Sequence, residues 1–336
     1  ASITPDLSAG YFIGFQDYST NPIARSGSNA MDQNSGSFGT GLGVNFSYAY
    51  LESKTLGKVT VGFQPPAAKG AAMFTDESGT MLFDNYTFFA GFPQFYVRNN
   101  GALDTSMTWG NLAFCHWQNL PIGGDCSGIA MNSVRYDSPV IGGFSAQASW
   151  GVDDAWQVAT RYSGPHQGFK VSLGLGYSVS TSETTTGPVV LERKNSSYLQ
   201  AGGYVEHLAS GLFVHAAYGE EDNNNQRLLG SGLPVEDGRH WYVKSGIRKN
   251  WTPLGATIVY GDYAEYLDQL GPAAIEQGAT SSKMQRFGGG IAQEIDAAAM
   301  TLYMKYERYE GEVKGIATLT DIDALDLVSM GAVINF

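Results

Sequence analysis

Basic side chains recur at alternate positions of segments whose remaining positions are mostly apolar. Successive residues of a β-strand point to opposite faces, so each segment would carry its charges on one face and its apolar residues on the other. The basic residues in such positions are Lys58, Arg135, Arg161, Lys170, Lys244, Arg248, Arg286 and Lys305. Fewer acids occupy them, namely Glu206, Glu294 and Glu307. A water-filled space bounded by these faces would be lined mainly by cations, which would set an ion preference and orient dipolar solutes.

Acidic residues concentrate instead in the long irregular stretch 65–131. It holds Asp76, Glu77, Asp84, Asp104 and Asp125 against Lys69 and Arg98. If the stretch folds against the basic faces, its carboxylates would stand opposite cations, and we expect this of the first four acids. The expected partners are Lys58, Arg135 and Arg161. The alternative interpretation, that the charges are merely solvated, applies to some of them.

The segments that alternate in this way run through the whole chain. They are 7–16, 42–51, 57–64, 132–137, 142–151, 154–163, 167–179, 197–207, 210–218, 239–248, 254–263, 284–295, 299–309 and 326–336, fourteen in all. Most have the length of about 9–11 residues that a tilted strand needs to cross a bilayer. Short and long connections alternate between them, as is typical of membrane barrels. We therefore predict an all-β fold, a transmembrane antiparallel β-barrel that forms a single domain over 1–336.

The apolar positions predict which face of each strand is turned outward. Phe144, Trp150, Leu173 and Leu302 are expected to face lipid. Two further sets are assigned outward in the same way: Val44, Phe46, Tyr48 and Tyr50 in one segment, and Leu254, Ala256, Ile258 and Tyr260 in another. The aromatic residues expected to face inward include Tyr242, Tyr263 and Tyr303. Apolar outside and polar inside is the inverse of a small soluble barrel, whose interior is packed with apolar side chains.

The composition favours strands over helices. The chain has 336 residues with 43 Gly, 17 Phe, 19 Tyr and 6 Trp, but only 15% are charged. This mixture is rich in strand and turn formers. No run of about 18 apolar residues is present, so no transmembrane helix is expected. The net charge of −12 argues against nucleic acid as a partner.

The sequence offers no clear catalytic or metal-binding pattern. It contains no phosphate-binding or dinucleotide-binding loop and no cluster with metal-ligand spacing, so neither a metal nor a cofactor is expected. An outer-membrane hydrolase would need a Ser, a His and an orienting polar group near the lipid. His207 lies beside a short turn, but no Ser on an apolar strand face is placed to join it.

The two cysteines, Cys115 and Cys126, lie in one stretch rich in Gly and polar residues. In an oxidising compartment they would form a local disulfide, and the alternative is two free thiols. No neighbouring His or Cys gives the spacing of a zinc site.

Several motifs resemble those of alphaproteobacterial trimeric porins. The stretch 132–162 has the family's Arg-Tyr-Asp-Ser-Pro turn, a Gly-Phe strand, an Asp-Asp link and a strand led by Trp. Residues 57–64 and 207–213 also resemble the family pattern. The last strand, 326–336, ends on Phe336 with apolar residues at alternate positions before it, as the terminal strand of outer-membrane barrels does.

The resemblance implies a function, a partner and a site. It implies a homotrimer in the bacterial outer membrane, in contact with lipid and lipopolysaccharide, that passes small hydrophilic solutes and ions by diffusion. The family's pore-constricting loop corresponds to 65–131, and Arg135 lies within a matched motif. The predicted constriction is formed by Lys58, Arg135, Arg161, Lys170, Asp76, Glu77, Asp84 and Asp104, and the predicted lumen wall by Lys244, Arg248, Arg286 and Lys305. The alternative is a substrate-specific channel for organic anions or sugars.

The number of strands departs from the family pattern. Sixteen are expected from the resemblance, with five before the loop, whereas only the three segments 7–16, 42–51 and 57–64 precede it. Three explanations account for this count: two strands that precede residue 1, a barrel of fourteen strands, or a hairpin within Asn85–Arg98. We favour the first explanation, because an open strand edge is not tolerated in lipid.

Overall fold

The computed structural model describes residues 2–17, 25–26, 34–35, 42–84, 95–116, 125–180, 191–192, 196–223, 226–228 and 231–334. Nearly all of the regular structure in these ranges is β, with one large sheet and three two-stranded sheets. Within the same ranges, no helix has both the length and the apolar character needed to cross a membrane.

The large sheet is an antiparallel meander in which chain neighbours are also neighbours in space. Its strands are β1 Leu7–Asp17, β2 Leu42–Ser53, β3 Gly57–Gln64, β4 Met131–Asp137, β5 Phe144–Gly151, β6 Trp156–His166, β7 Phe169–Ser180, β8 Ser196–His207, β9 Leu212–Asp222, β10 Gly238–Thr252, β11 Gly255–Leu267, β12 Ser281–Ile295, β13 Met300–Lys314 and β14 Leu325–Ile334. All of the predicted segments are therefore strands. β1 and β14 are the edges of the sheet, and in the described ranges no ladder joins them.

The outward face of the sheet is apolar and exposed, as predicted. Phe144, Trp150, Leu173 and Leu302 are between 44% and 60% exposed. The alternate residues of the same strands point inward; Ser149, for example, is buried. A continuous apolar belt around a polar interior is the arrangement of a transmembrane β-barrel, and this part of the prediction is confirmed.

The predicted face of β2 is right for Val44, which is 52% exposed, but wrong for Phe46, Tyr48 and Tyr50. Tyr50 pairs with Thr60, which lies on the inward face, so Phe46 and Tyr48 also point inward. A one-residue bulge between Phe46 and Val44 reverses the alternation and turns Val44 outward. Alternation shows which residues share a face but not which face is inward, and aromatic residues suit either face.

The predicted face of β11 is wrong for the same reason. Ile258 lies opposite Arg248, and Ile258 and Tyr260 are buried on the inward face together with Ala256. Leu254 precedes the strand and is exposed in the turn. The inward apolar residues of β11 are covered by chain that lies inside the barrel, so apolarity alone did not indicate lipid.

Two of the three aromatic residues predicted to face inward do so. Tyr242 is buried, and Tyr303 stacks on Phe83 from the inside with ring centroids 4.3 Å apart. Tyr263 is the exception. Its ring lies on the outward face, with its centroid 5.0 Å from that of Trp241 and 5.1 Å from that of Phe287.

Parts of the long connections pack together at one end of the barrel. A hairpin of Tyr96–Asn99 and Ala102–Thr108 is followed by a 3-10 turn, Trp109–Leu112, that contacts the short helix α1, Pro272–Glu276. The hairpin forms its own sheet and does not enter the barrel wall. The hypothesis of a barrel hairpin within Asn85–Arg98 is therefore wrong for its last residues, and 85–94 lie outside the described ranges.

Candidate functional site

The stretch that follows β3 lies against the inward face of the sheet. We call residues 65–84 the inner segment. Its backbone amides donate to inward side chains of successive strands: Ala67 N to Ser149 Oγ at 3.0 Å, Ala68 N to Gln157 Oε1 at 3.1 Å, and Ala72 N to Gln200 Oε1 at 3.0 Å. These contacts satisfy backbone groups that regular secondary structure leaves unpaired. The inner segment therefore runs along the inner face of β5 to β8, in direct contact with it.

Glycines in the wall allow this close approach. A Cβ atom at Gly174 would lie 1.9 Å from the carbonyl oxygen of Ala71, and one at Gly202 would lie 2.3 Å from that of Ala72. Any side chain at either position would push the inner segment away from the wall. The path of the segment is thus fixed by residues of the strands as well as by its own sequence.

Further along, the inner segment inserts two carboxylates next to a buried lysine of β10. The Lys244 Nζ atom lies 2.6 Å from Asp76 Oδ2 and 3.2 Å from Asp84 Oδ2, and it donates to Thr80 Oγ1 at 2.7 Å. The Lys244 side chain has no exposed surface, and the two acids are almost as completely buried. Asp76 and Asp84 therefore hold the segment on the wall through a desolvated ion pair.

Asp84 also joins a second cation. The Arg286 Nη2 atom on β12 lies 3.0 Å from Asp84 Oδ1, 2.9 Å from Asp262 Oδ1 and 3.2 Å from Glu307 Oε1. Lys305 Nζ completes the group at 3.0 Å from Glu307 Oε2. We call Asp76, Asp84, Lys244, Asp262, Arg286, Lys305 and Glu307 the buried charge network. Removing such ions from water costs several kcal/mol each, and their mutual attraction offsets that cost only while every member is present.

The pKa of Asp76 reflects this environment. Burial alone raises the pKa of its carboxyl group, but the charges of Lys244 and His215 and hydrogen bonds from Lys244 and Ser78 outweigh burial and lower the pKa to about 2. The Asp76 carboxylate is therefore ionised at neutral pH, and its pairing with Lys244 persists there.

A second group of cations surrounds the start of the inner segment and is less buried. Arg135 donates from Nη1 to the Pro65 carbonyl at 3.1 Å, and Arg161 donates from Nη2 to the Lys69 carbonyl at 2.8 Å. Arg135 also pairs with Asp137 on its own strand, Nε to Oδ1 at 3.1 Å. The pKa of Lys69 is lowered chiefly by burial and further by the positive charge of Arg135, while Asp125 acts in the opposite direction. Lys69, Arg135 and Arg161 therefore form a cationic patch in which positive charges are close together.

The prediction of which cations pair with the acids of the loop is wrong. Asp76 and Asp84 bind Lys244 and Arg286, not Lys58, Arg135 or Arg161. Glu77 binds Lys170, with Oε2 and Nζ 2.6 Å apart. The expectation placed the acids opposite the first basic residues of the wall, whereas the inner segment passes Arg135 and Arg161 before its acids reach Lys244 and Arg286.

Asp104 and Lys58 are also placed differently from the expectation. Asp104 lies in the end hairpin and accepts from the Ser106 amide at 2.9 Å; in the described ranges no cation pairs with it. Lys58 Nζ lies 4.5 Å from the ring centroid of Tyr50. We therefore find no geometric support for Asp104 at the constriction.

The predicted lumen wall divides into covered and open residues. Lys244, Arg286 and Lys305 point inward as predicted, but all three are buried, and Asp84 of the inner segment pairs with the first two. Arg248 keeps about a third of its side chain exposed and pairs with Glu294, Nη2 to Oε2 at 2.6 Å. The alternation of residues along each strand gave the direction of these side chains but could not show what covers them.

A disulfide joins Cys115 and Cys126, whose Cα atoms are 5.5 Å apart. It lies beside Asp125, which accepts from the backbone amide of Gly70 at 2.8 Å. Burial raises the pKa of the Asp125 carboxyl group, and hydrogen bonds from Gln200 and Gly70 oppose that rise. The end of the 65–131 stretch is thereby tied to its beginning.

Asp262 is the member of the charge network that sequence reasoning missed. It shares a face with Ile258 and Tyr260, so the wrong assignment of β11 placed it in lipid. A carboxylate on a lipid-facing position is strongly unfavourable. That conflict was a signal in the sequence that the face of β11 was inverted.

The described ranges contain no group of three or more His, Cys, Asp or Glu side chains arranged to hold a metal ion. An apolar outer belt, a polar interior and a chain segment bound to the inner wall instead define an outer-membrane channel. The chain belongs to the Gram-negative porin family, whose sequence model matches residues 6–321. It is an outer-membrane porin.

Solved structures agree on the fold. OmpF of Salmonella typhi, in complex with daunomycin, aligns with a TM-score of 0.51 and 12% identity over 99% of this chain and 87% of that one. A loop L8 deletion mutant of OmpT, an outer membrane protein of Vibrio cholerae, aligns with a TM-score of 0.51 and 12% identity over 98% and 86%. At such identity the likeness concerns the fold alone. A comparison with curated proteins gave no match.

Proposed function

We propose that this porin is a general diffusion channel for small hydrophilic solutes and ions, narrowed by the loop 65–131 within a single barrel domain. The observation that carries the proposal is the distribution of exposed inward cations. Lys170 and Arg248 are 38% and 35% exposed, Arg135 is 21% exposed, and the three lie on different strands, β7, β10 and β4. Dispersed charges along a wet wall attract ions without enclosing any one solute.

Within this proposal the predicted constriction residues have two roles. Lys58, Arg135, Arg161 and Lys170 supply the exposed positive side of the passage, and Glu77 supplies an exposed carboxylate. Asp76 and Asp84 act indirectly, because they hold the inner segment on the wall through Lys244 and Arg286. The exposed groups would set ion selectivity, and the buried groups would set the width.

Liposome swelling tests the general character of the channel. Sugars and amino acids of graded size should enter at rates that fall smoothly with size, and flux should rise linearly with concentration. A substrate-specific channel would instead saturate with one sugar or one aliphatic amino acid and would prefer it to others of equal size. That result would overturn the proposal in favour of a specific channel.

We also propose that the protein is not an enzyme. His207 Nδ1 does lie 2.8 Å from Ser210 Oγ, a contact that sequence reasoning did not anticipate. The same hydroxyl also accepts from the Leu212 amide, so Ser210 shapes the turn between β8 and β9. In the described ranges no carboxylate orients His207 as a triad would require. Unchanged lipid after incubation with purified protein would agree with this proposal, and acyl hydrolysis lost in Ser210→Ala would overturn it.

We further propose a homotrimer that is embedded in outer-membrane lipid and contacts lipopolysaccharide. The resemblance to trimeric porins supports the oligomer, and the exposed apolar belt supports contact with lipid. Chemical cross-linking in native membranes should give a trimer that dissociates on heating. A monomer under the same conditions would contradict this assembly.

A further inference from the structure

A row of aromatic side chains lies on the inner face of β1 and β2, on the wall next to the cationic patch. We call Phe12, Phe46, Tyr48 and Tyr50 the aromatic strip. The register sets each ring of β2 against a residue of β1: Tyr50 against Gly10, Tyr48 against Phe12 and Phe46 against Gly14. Because residues two apart share a face, the three rings of β2 follow one another at intervals of about 7 Å.

The glycines of β1 let the rings at the two ends of the strip, Tyr50 and Phe46, lie flat on the wall. A Cβ atom at Gly10 would lie 2.5 Å from the ring of Tyr50, and one at Gly14 would lie 3.0 Å from that of Phe46. Between them, Phe12 and Tyr48 stack with centroids 5.2 Å apart and an interplanar angle of 24°. Phe12 is 43% exposed. The strip therefore offers a broad, shallow apolar surface and not a closed pocket.

Ammonium groups stand at both ends of the strip. Lys58 Nζ lies 4.5 Å from the centroid of Tyr50, and Lys69 Nζ lies 5.3 Å from that of Phe46. Both distances are within the range of cation–π attraction. In the part of the chain that the structure describes, no cation lies over the central Phe12–Tyr48 pair. A stacked aromatic pair with a positive charge on either side is thus available to a solute.

We infer that the aromatic strip binds small aromatic carboxylates as they pass through the channel, an inference that rests on the proposed function. A solute ring would stack beside Phe12 and Tyr48 while its carboxylate meets Lys58 or Lys69. Aromatic pairs add stabilisation beyond the burial of area, and charge-assisted hydrogen bonds to carboxylates are short and strong. Since the surface is shallow, binding is weak and release is fast, which conduction requires.

The rings of the strip and the ammonium groups beside it can be tested separately by the choice of solute. Full-length protein in planar bilayers is exposed to benzoate, hexanoate and benzamide while ion current is recorded. Benzoate has both a ring and a charge, hexanoate has only the charge, and benzamide has only the ring. Benzoate should reduce the current of the other ions with half-saturation at a concentration roughly fivefold lower than hexanoate, which is the effect of one aromatic pairing. Its half-saturation should also lie below that of benzamide, because benzamide lacks the charge that meets Lys58 or Lys69. Equal half-saturation for the three solutes would overturn the inference.

A matched pair of variants locates the effect. Tyr48→Leu keeps an apolar inward side chain but removes the ring, and Tyr11→Leu makes the same change on the outward face of the neighbouring strand, where Tyr11 is 60% exposed. Only Tyr48→Leu should abolish the preference for benzoate, and equal behaviour of the two variants would overturn the inference. Should Tyr48→Leu fail to fold, the three solutes on the unaltered protein decide alone. Absence of any conductance would overturn the proposed channel as well, whereas conductance without benzoate preference would overturn the strip only.

Discussion

Two walls of the barrel carry inward basic residues, and the two sets serve different purposes. On β10, β12 and β13, Lys244, Arg286 and Lys305 are buried and paired with carboxylates, and the first two pair with acids of the inner segment. On the other side, Arg135 of β4 and Arg161 of β6 contact the beginning of the segment mainly through backbone carbonyls and stay partly exposed. Inward-facing basic residues thus anchor the loop on one wall and line the passage on the other.

The difference comes from what covers each wall. A buried ion interacts strongly because little water screens it, and breaking its pairing leaves an uncompensated charge. An exposed ion is hydrated and screened, so its removal changes the local potential more than the stability. Substitutions on the covered wall should therefore alter the structure, and those on the open wall should alter selectivity.

The largest effect is expected at the centre of the buried charge network. Asp84→Asn removes the charge that Lys244 and Arg286 share, and breaking a buried pair costs about 3–5 kcal/mol. The variant should unfold at lower denaturant concentration in detergent, and its conductance should rise and fluctuate as the inner segment leaves the wall. Asp104→Asn is the matched control, since it makes the same change in the same loop at a residue with no cation partner in the described ranges. Similar stability and conductance for both variants would contradict the anchoring role.

Acid should weaken the same wall through Asp76. Its ordinary pKa of 3.8 is lowered to about 2 in the folded protein. An acid whose pKa is lower in the folded protein than in the unfolded chain stabilises the fold, and the full contribution of ~2 kcal/mol is present above pH 3.8. This contribution is lost as the pH falls through about 2. Conductance should therefore stay steady down to about pH 4 and become noisy towards pH 2. Asp76→Asn should remove this acid step and weaken the segment at neutral pH. An identical acid profile in the variant would show that another group is responsible.

The comparison also shows what the sequence can predict. Alternation identified the strands of the large sheet that the structure describes, because a strand between lipid and water must place apolar and polar residues on opposite faces. It failed on β2 and β11, where Tyr50 and Ile258 are apolar yet point inward. There the inner face is covered by protein or forms an aromatic surface, so apolarity no longer indicates lipid. The pairing of Asp84 with Arg286 joins residues 202 positions apart. Nothing local in the sequence encodes such a pairing, since it depends on the path of the loop.

On the open wall, Arg135→Ala should change selectivity and leave the fold intact. Removing one positive charge about 8 Å from the path of an ion in water alters its energy by ~0.5 kcal/mol, so the preference should shift about twofold towards cations. The opening should also widen, because the Arg135 side chain lies beside the Pro65 carbonyl. Reversal potential in a salt gradient measures the shift. Lys249→Ala is the control, because Lys249 is half-buried near the end of β10, on the face opposite to Arg248, and donates to the Ala209 carbonyl. A reversal potential equal to that of the control would exclude Arg135 from the narrow region.

The smallest effect is expected for Lys170→Gln, although Lys170 also pairs with an acid of the inner segment. Its Nζ lies 2.6 Å from Glu77 Oε2, which is as short as the contact of Lys244 with Asp76. Lys170 is 38% exposed and Glu77 is 23% exposed, however, so water screens the pair and can replace it. Glu77 also accepts from Ser163 Oγ at 3.1 Å and keeps that partner in the variant. Stability in detergent should change by less than ~1 kcal/mol, and the shift in reversal potential should be smaller than that of Arg135→Ala. If Lys170→Gln lost as much stability as Asp84→Asn, burial would not distinguish the two walls. Ion pairs of equal length would then contribute equally whether they are buried or exposed.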